Sequence, residues 1–380
     1  LKQGEQMPPV VLLLGPLRSA VSGVSTHLNL LFGSALAGRF RMVQFQVGSA
    51  GRVETPLGRL ARLLASPVQL ATSIVRHGVT IVHINTSLDA KAYWRDLVYV
   101  LVAKACGARV LYQVHGGAVS AFCGTPPLLA AAARLVLRTT FRWPDVVVVI
   151  SQIEYEAVTA LAPRQRVVLL PNGTDVEALA TRRKAHAALD GPLRLLYIGR
   201  LVRTKGLYES LEAIARLRTQ GVDTHLVIAG SGVEEEGLRR EVGRLKLQEA
   251  VSFAGPAFGE RKRALFEEAQ VLLLPTYHRE GLPYALLEGM AAGLVPVVTR
   301  VGAIPDVVEP DVHGLFVPPR DPETLARALG ALAADRALLA RMSAASRERV
   351  ATSYSVERLA GDFTALYRVL GGPWPASKAA

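Results

Sequence analysis

The feature that most constrains this chain is an alternation that starts at Val10 and runs almost to the end. Short apolar, β-rich runs are separated by longer stretches rich in Ala, Leu and Arg. In the first half the runs fall at residues 10–15, 41–47, 79–84, 109–114, 145–150 and 166–170. Helical patterns fill the gaps at residues 24–37, 57–77, 92–106 and 128–141. Runs that are apolar at every position, rather than at every second one, belong to strands covered on both faces. Strand–helix alternation makes such strands parallel.

The pattern pauses at residues 171–193, where Asn172-Gly173 turns the chain, and then restarts. Its second series of runs lies at residues 193–199, 225–230, 251–255, 271–275, 295–299 and 314–317. Helices are expected at residues 206–220, 234–247, 260–269, 283–292 and 322–332, and a last pair at 335–352 and 356–370. A chain of 380 residues accommodates about two domains. The expected organisation is therefore two doubly wound, Rossmann-like α/β units, over 1–178 and 190–355, closed by residues 356–380. The two halves share architecture without a residue-level repeat. The tail 374–380 carries too few apolar residues to dock.

Half of the residues are hydrophobic and 20% are charged, as in a globular protein with ample core. Cys106 and Cys123 form neither a disulfide framework nor a CxxC pattern, which fits a reducing, cytoplasmic setting. Residues 1–9 are polar and do not read as a signal peptide. The most apolar window, 282–298, is broken by Glu288 and by glycines and prolines, so no transmembrane helix is expected. The net charge of +12 is uneven: residues 1–175 hold 17 Lys and Arg against 8 Asp and Glu. A basic first half can face nucleic acid, an anionic bilayer or a phosphorylated substrate, or be plain solvated surface.

In open parallel sheets, ligands bind beyond the carboxyl ends of the strands, so chemistry is sought there. After the first run come Ser22 and Gly23, just ahead of a helix; Gly23 lets backbone approach a phosphate, and Ser22 or Ser25 can cap the helix. His115-Gly116-Gly117 follows the fourth run. Gly199-Arg200 and Lys205-Gly206 bring two cations to one strand end, a pairing that suits a diphosphate, although a surface charge pair reads the same way. Glycine turns at Gly230 and at Phe253–Gly255 can hold a base against backbone.

The densest signal is residues 278–293, HREGLPYALLEGMAAG, placed after the run VLLLP. A polar loop leads into a helix whose start is marked by Pro283, with Glu280 in the loop and Glu288 inside the helix. Free amides and the helix dipole make such a start an anion site. Carboxylates beside it are natural partners for sugar hydroxyls. Two acids, two cations and a helix start together point to a sugar joined to a phosphate.

Residues 280–288, EGLPYALLE, resemble the E-x7-E signature of retaining glycosyltransferases with the GT-B fold, specifically glycosyltransferase family 4, the group 1 transferases. Supporting motifs follow in family order: Pro171-Asn172-Gly173-Thr174-Asp175, Gly199-Arg200-Leu201 with Lys205-Gly206, and residues 302–306. The last reads Gly-Ala-Ile-Pro-Asp where the family usually has Gly-Gly-x-Pro-Glu, and the first-half loop has Ser22-Gly23 where many members carry two glycines. The resemblance implies two domains facing across a cleft, with a UDP- or GDP-sugar as donor. Arg200 and Lys205 would bind its diphosphate, and Gly23, Gly199, Gly230, Phe253, Gly281, Leu282 and Pro283 would line its path. Glu288 would hold the ribose, Glu280 the transferred sugar, and His115 would touch that sugar near its primary hydroxyl. It also implies transfer with retention, and a last helix that crosses back to the first domain.

No Asp-x-Asp is present, so no metal is expected. The expected acceptor is a sugar, for instance one carried on a polyprenyl diphosphate, met at the anionic inner face of the membrane; no nucleic acid is expected. Three other readings stay open: an epimerase or hydrolase of nucleotide sugars, a non-catalytic nucleotide-sugar-binding module, and an NAD(P)-dependent enzyme. The last lacks the dinucleotide fingerprint.

Overall fold

A computed structural model describes residues 8–48, 54–88, 92–117, 127–179, 191–278 and 280–372. Segment 1–7, Cys123 and the tail 374–380 lie outside the described residues. The chain divides into two compact units, one formed by Leu1–Asn172 with Val356–Ala380 and the other by Gly173–Ser355.

The first unit carries strands β1 (Val10–Gly15), β2 (Arg41–Gln46), β3 (Ile81–Leu88), β4 (Arg109–Gly117), β5 (Val146–Val149) and β6 (Val167–Leu169). They form one parallel sheet in the order β2-β1-β3-β4-β5-β6. Its helices are α1 (Gly23–Gly33), α2 (Leu36–Arg39), α3 (Pro56–His77), α4 (Ala92–Ala105), α5 (Pro127–Arg142) and α6 (Gln152–Leu161). Alternate residues of one strand enter different cores. Leu12, Leu14, Val82 and Val147 pack with Leu70 of α3, Tyr99 of α4 and Leu137 of α5. Val11, Leu13, Ile81 and Val148 pack on the other face with Leu28 of α1 and with Phe363 and Tyr367 from the carboxyl-terminal segment. Covering both faces is what makes the runs apolar throughout.

The second unit begins with α7 (Val176–Leu179) and carries β7 (Leu193–Ile198), β8 (Thr224–Ala229), β9 (Val251–Gly255), β10 (Val271–Leu274), β11 (Val295–Val298) and β12 (Leu315–Phe316). Their order is β12-β11-β10-β7-β8-β9, again parallel. Its helices are α8 (Leu207–Thr219), α9 (Glu235–Arg244), α10 (Gly259–Glu268), α11 (Tyr284–Ala291), α12 (Ile304–Val307), α13 (Pro322–Ala334) and α14 (Arg336–Ser353). From β7 the chain winds outward through β8 and β9, then returns to the other side of β7 with β10 and winds away. The switch between β7 and β10 is where a doubly wound sheet opens a crevice at its carboxyl edge. Helix α15 (Val356–Gly371) belongs to the first unit, where Leu359, Phe363, Leu366 and Tyr367 are buried.

Several expected boundaries shift. The single helix expected over 24–37 is two, because the Ser34 hydroxyl bonds the Leu31 carbonyl and its extended backbone ends α1. Strands β3 and β4 run further than expected, so His115, Gly116 and Gly117 are strand residues and not a following loop. Helix α6, which the alternation did not single out, is capped by the Ser151 hydroxyl accepting from the Glu154 amide. Pro283 occupies the N-cap rather than the first helical turn.

Candidate functional site

The two strand ends at the switch point carry most of the predicted site residues of the second unit. After β7, Gly199 and Arg200 lead into a 3-10 turn, Arg203–Lys205. The Tyr197 hydroxyl donates to the Arg200 carbonyl at 2.7 Å, fixing the path of that loop. Arg200 is exposed and enters no ion pair among the described residues. The loop after β10 is stitched to the loop after β7. The amides of Tyr277 and His278 donate to the Thr204 carbonyl at 2.9 and 3.1 Å, and the Tyr277 hydroxyl donates to the Arg203 carbonyl at 2.9 Å.

This stitching places Lys205 against Glu280. The Lys205 ammonium donates to the Glu280 carboxylate, which also accepts from the Thr276 hydroxyl at 3.1 Å. The two side chains are only 13% and 12% exposed, so the pair is poorly screened by solvent. The arrangement presents a cation and a hydrogen-bond acceptor side by side. Beside them, burial holds the His278 imidazole below its ordinary value; Glu280 pulls it up, while Lys205 and Arg200 push it down.

Helix α11 follows directly and begins without a side-chain cap. Gly281, Leu282 and Pro283 form the approach to it. The Gly281 carbonyl accepts from the Ala303 amide at 3.1 Å, and Leu282 is buried. Gly302 makes this approach possible: at φ +56° a β-carbon there would stand 1.9 Å from the Glu280 carbonyl oxygen. The residue that replaces the family's second glycine, Ala303, lies buried without such a constraint. The carbonyl of Asp306, in α12, accepts from the Arg349 guanidinium and the Tyr354 hydroxyl.

Glu288, inside α11, is 9% exposed, and burial pushes its carboxyl up while Lys262 pulls it down. The Lys262 ammonium, on α10, stands 2.5 Å from both carboxylate oxygens. Gly230 follows β8, with its amide donating to the Gly255 carbonyl at 2.8 Å. Phe253, on β9, is half-buried under the Arg239 guanidinium, 4.2 Å above the ring centroid.

The remaining predicted residues, Gly23 and His115, are in the first unit. The Ser22 hydroxyl caps α1 by accepting from the Ser25 amide at 3.1 Å, which makes Gly23 the first helical residue. His115 Nε2 lies 2.9 Å from Asn85 Oδ1, so Nε2 carries the proton and Nδ1 keeps its lone pair. Burial, then the neighbouring His83, pushes the His115 imidazole down to about 3; it is neutral at ordinary pH and suited to accept from a hydroxyl. Its ring meets that of His27 edge-on at 4.5 Å.

Sequence reasoning missed Thr204, Lys262 and Thr276. Thr204 and Thr276 act through contacts 72 residues apart, and Lys262 sits in the charged run Gly-Glu-Arg-Lys-Arg, where nothing sets it apart from its neighbours. Among the described residues no group of three His, Cys, Asp or Glu side chains could hold a metal, and no helix is long and apolar enough to cross a membrane.

Residues 25–173 match the family model described as glycosyl transferase 4-like domain, and residues 179–349 match glycosyl transferases group 1. The colanic acid biosynthesis glycosyltransferase WcaL of Escherichia coli (strain K12) is 32% identical over 55% of this chain and 52% of its own length. The amylovoran biosynthesis glycosyltransferase AmsK of Erwinia amylovora is 33% identical over 45% of this chain and 44% of its own. The chain spans about half the length of the curated relatives it matches. Among solved structures, sucrose-phosphate synthase from Thermosynechococcus elongatus matches with a TM-score of 0.77 at 22% identity, over 95% of this chain and 99% of that one. Anabaena HepE in complex with UDP-glucose matches with a TM-score of 0.74 at 17% identity, over 94% and 98%. The likeness to these structures shows the fold, GT-B, with its two Rossmann-like units. With its two halves matched in turn by the two family models, the chain belongs to the group 1, glycosyltransferase 4-like family of GT-B glycosyltransferases.

Proposed function

We propose that this protein moves a hexose from a UDP- or GDP-sugar to an acceptor hydroxyl, with retention of anomeric configuration, in the assembly of a bacterial polysaccharide or glycolipid. The observation that carries the reading is the join at the switch point, where exposed Arg200, the Lys205–Glu280 pair and the uncapped start of α11 follow β7 and β10. Arg200, Lys205 and the helix start supply positive potential for a diphosphate. Glu280 and Glu288 supply acceptors for the hydroxyls of the sugar and the ribose. HepE, a structural neighbour, is described in complex with UDP-glucose, and WcaL and AmsK are named for polysaccharide biosynthesis.

In the reaction the bond from the anomeric carbon to the diphosphate oxygen breaks, and a bond from that carbon to the acceptor oxygen forms on the same face. The acceptor proton passes to the departing phosphate, whose charge Arg200, Lys205 and α11 offset. No side chain is asked to form a covalent intermediate or to hold a metal. His115 would accept from a hydroxyl of the transferred sugar. We place the acceptor on a lipid carrier such as a polyprenyl diphosphate.

The test is a thermal-shift screen against a panel of nucleotide sugars, followed by turnover with and without acceptors. A true donor at about 100 times its dissociation constant stabilises by about 2.7 kcal/mol. Release of the nucleoside diphosphate that depends on acceptor, with an α-linked product from an α-linked donor, supports the reading. Full-rate release from donor alone makes the protein a hydrolase. Unchanged turnover in Lys205→Ala and Glu288→Gln removes the assigned site.

A further inference from the structure

Helix α3 has two apolar faces where a helix lying on a sheet needs one. Ser66, Leu70 and Ile74 turn into the core. Leu57, Leu60, Leu64, Val68 and Val75 are instead 80%, 55%, 72%, 69% and 75% exposed. At 3.6 residues per turn these five positions form one stripe about 80° wide and roughly 27 Å long. Helices α4 and α5 cover the same face of the sheet. Of the eighteen large hydrophobic side chains exposed among the described residues, eleven lie on α3, α4, α5 or Trp143 just beyond them. A concentration of that kind marks an interaction surface rather than scattered surface leucines.

The charge around the stripe selects the partner. Helix α5 contributes Arg134, Arg138 and Arg142, α3 adds Arg59, Arg62 and Arg76 roughly 120–160° round the helix from the stripe's centre, and neither helix contains an Asp or Glu. Arg62 is taken up by Glu54. The other five are exposed and enter no ion pair among the described residues. A second copy of the chain would set arginines against arginines. A bilayer containing anionic phospholipid offers both terms at once, an apolar layer for the leucines and phosphates for the arginines. Helix α3 is too polar to span, so it would lie in the plane of the headgroups.

We infer that the outer face of α3, flanked by α4 and α5, docks this protein on a membrane surface rich in anionic phospholipid. Leu57, Leu60, Leu64 and Val68 enter the headgroup boundary, and the exposed arginines of α5 meet the lipid phosphates. The inference is independent of the transferase reading, because vesicle binding needs neither donor nor acceptor.

The experiment is co-sedimentation of the full chain with vesicles of phosphatidylcholine alone, or with about a third phosphatidylglycerol, at about 0.05 M and about 0.5 M salt. Binding is expected to the anionic vesicles at low salt and to weaken at high salt. Leu60→Glu combined with Leu64→Glu lowers the partition coefficient about tenfold or more. Arg134→Gln and Arg138→Gln lower it about fivefold each. Val233→Glu, at an exposed position of the second unit, leaves it unchanged. Thermal melts of the variants check that each is folded. No binding, binding indifferent to lipid charge, or full binding by the leucine variant overturns the inference. Self-association that the leucine variant abolishes, without vesicle binding, assigns the face to a second copy and overturns it too. Because donor binding is read separately, failure here leaves the switch-point site standing.

Discussion

Gly206 lies against Pro275 so closely that a β-carbon on it would stand 2.1 Å from the Pro275 carbonyl oxygen. The loop that ends with Lys205 and the loop that leads to Glu280 therefore meet backbone to backbone at the switch point. Gly206 also takes φ +75°, which a side chain disfavours.

Gly206→Ala is expected to damage donor binding as well as stability. Gly221 provides the control: it has φ +76°, and a β-carbon there would meet nothing within 4 Å, so Gly221→Ala suffers the backbone strain alone, about 1–2 kcal/mol. Gly206→Ala must in addition push two loops apart. It should melt lower than Gly221→Ala and bind the proposed nucleotide-sugar donor about tenfold more weakly or worse, while Gly221→Ala binds normally. Calorimetric titration with the donor, alongside melts, separates the two.

The Lys205–Glu280 pair is expected to behave as one unit. Removing either partner leaves a poorly solvated charge beside Thr276, whereas removing both does not. Lys205→Met and Glu280→Gln should each destabilise more than their combination does, with a coupling of about 1–3 kcal/mol in urea unfolding. Both single variants should lose transfer activity, and the combination should not recover it. A recovery of activity in the double variant would mean that the pair is structural only.

The fold was legible because parallel strands buried on both faces leave uninterrupted apolar runs, such as residues 10–15, between helices of ordinary length. The loops at the carboxyl ends were legible because Gly206 and Gly302 are demanded by close backbone approach, and such glycines stand out in a sequence. What stayed hidden depends on partners distant in the chain. Nothing near Lys262 announces Glu288, which lies on the next helix, α11, with β10 between them. The break at Ser34 turns on a single hydroxyl taking a carbonyl from α1. Strand β4 continues through His115 because β3 stays paired with it as far as Leu88 and Gly117. The exposed stripe of α3 is invisible to periodicity alone, since a helix with apolar residues on two faces reads as one that is more deeply buried.

Glu154 is expected to make the first unit less stable as pH rises. Burial pushes its carboxyl up to about 7, although the amide of Ile150, at 3.1 Å, and that of Ser151 favour the charged form. Between pH 4.5 and about 7 the unfolded chain has lost a proton that the folded chain keeps, so stability falls through that window. The loss by pH 8 is on the order of 3 kcal/mol. Glu154→Gln keeps an acceptor for the Ile150 amide and removes the ionisation. Urea unfolding at pH 5 and pH 8 should show a decline in the parent protein that the variant lacks.

His83 is expected to act in the opposite direction. Its Nε2 lies 2.9 Å from Gln113 Oε1, so that nitrogen carries the proton, and Nδ1 at 2.7 Å accepts from the Tyr367 hydroxyl of α15. Both bonds are made by the neutral ring, and burial pushes its pKa down to about 3, against a smaller upward pull from Gln113. Below pH 6.5 the unfolded chain takes up a proton that the folded chain refuses, so the stability present above that pH is lost as pH falls toward 3. The loss reaches about 2 kcal/mol at pH 5. Because the bond runs to α15, protonation should release that helix together with the sheet it covers. His83→Gln will be less stable at pH 7 through poorer packing, yet its stability should fall less steeply between pH 7 and pH 5. Parallel slopes in the two proteins would show that His83 does not carry the acid sensitivity of this unit.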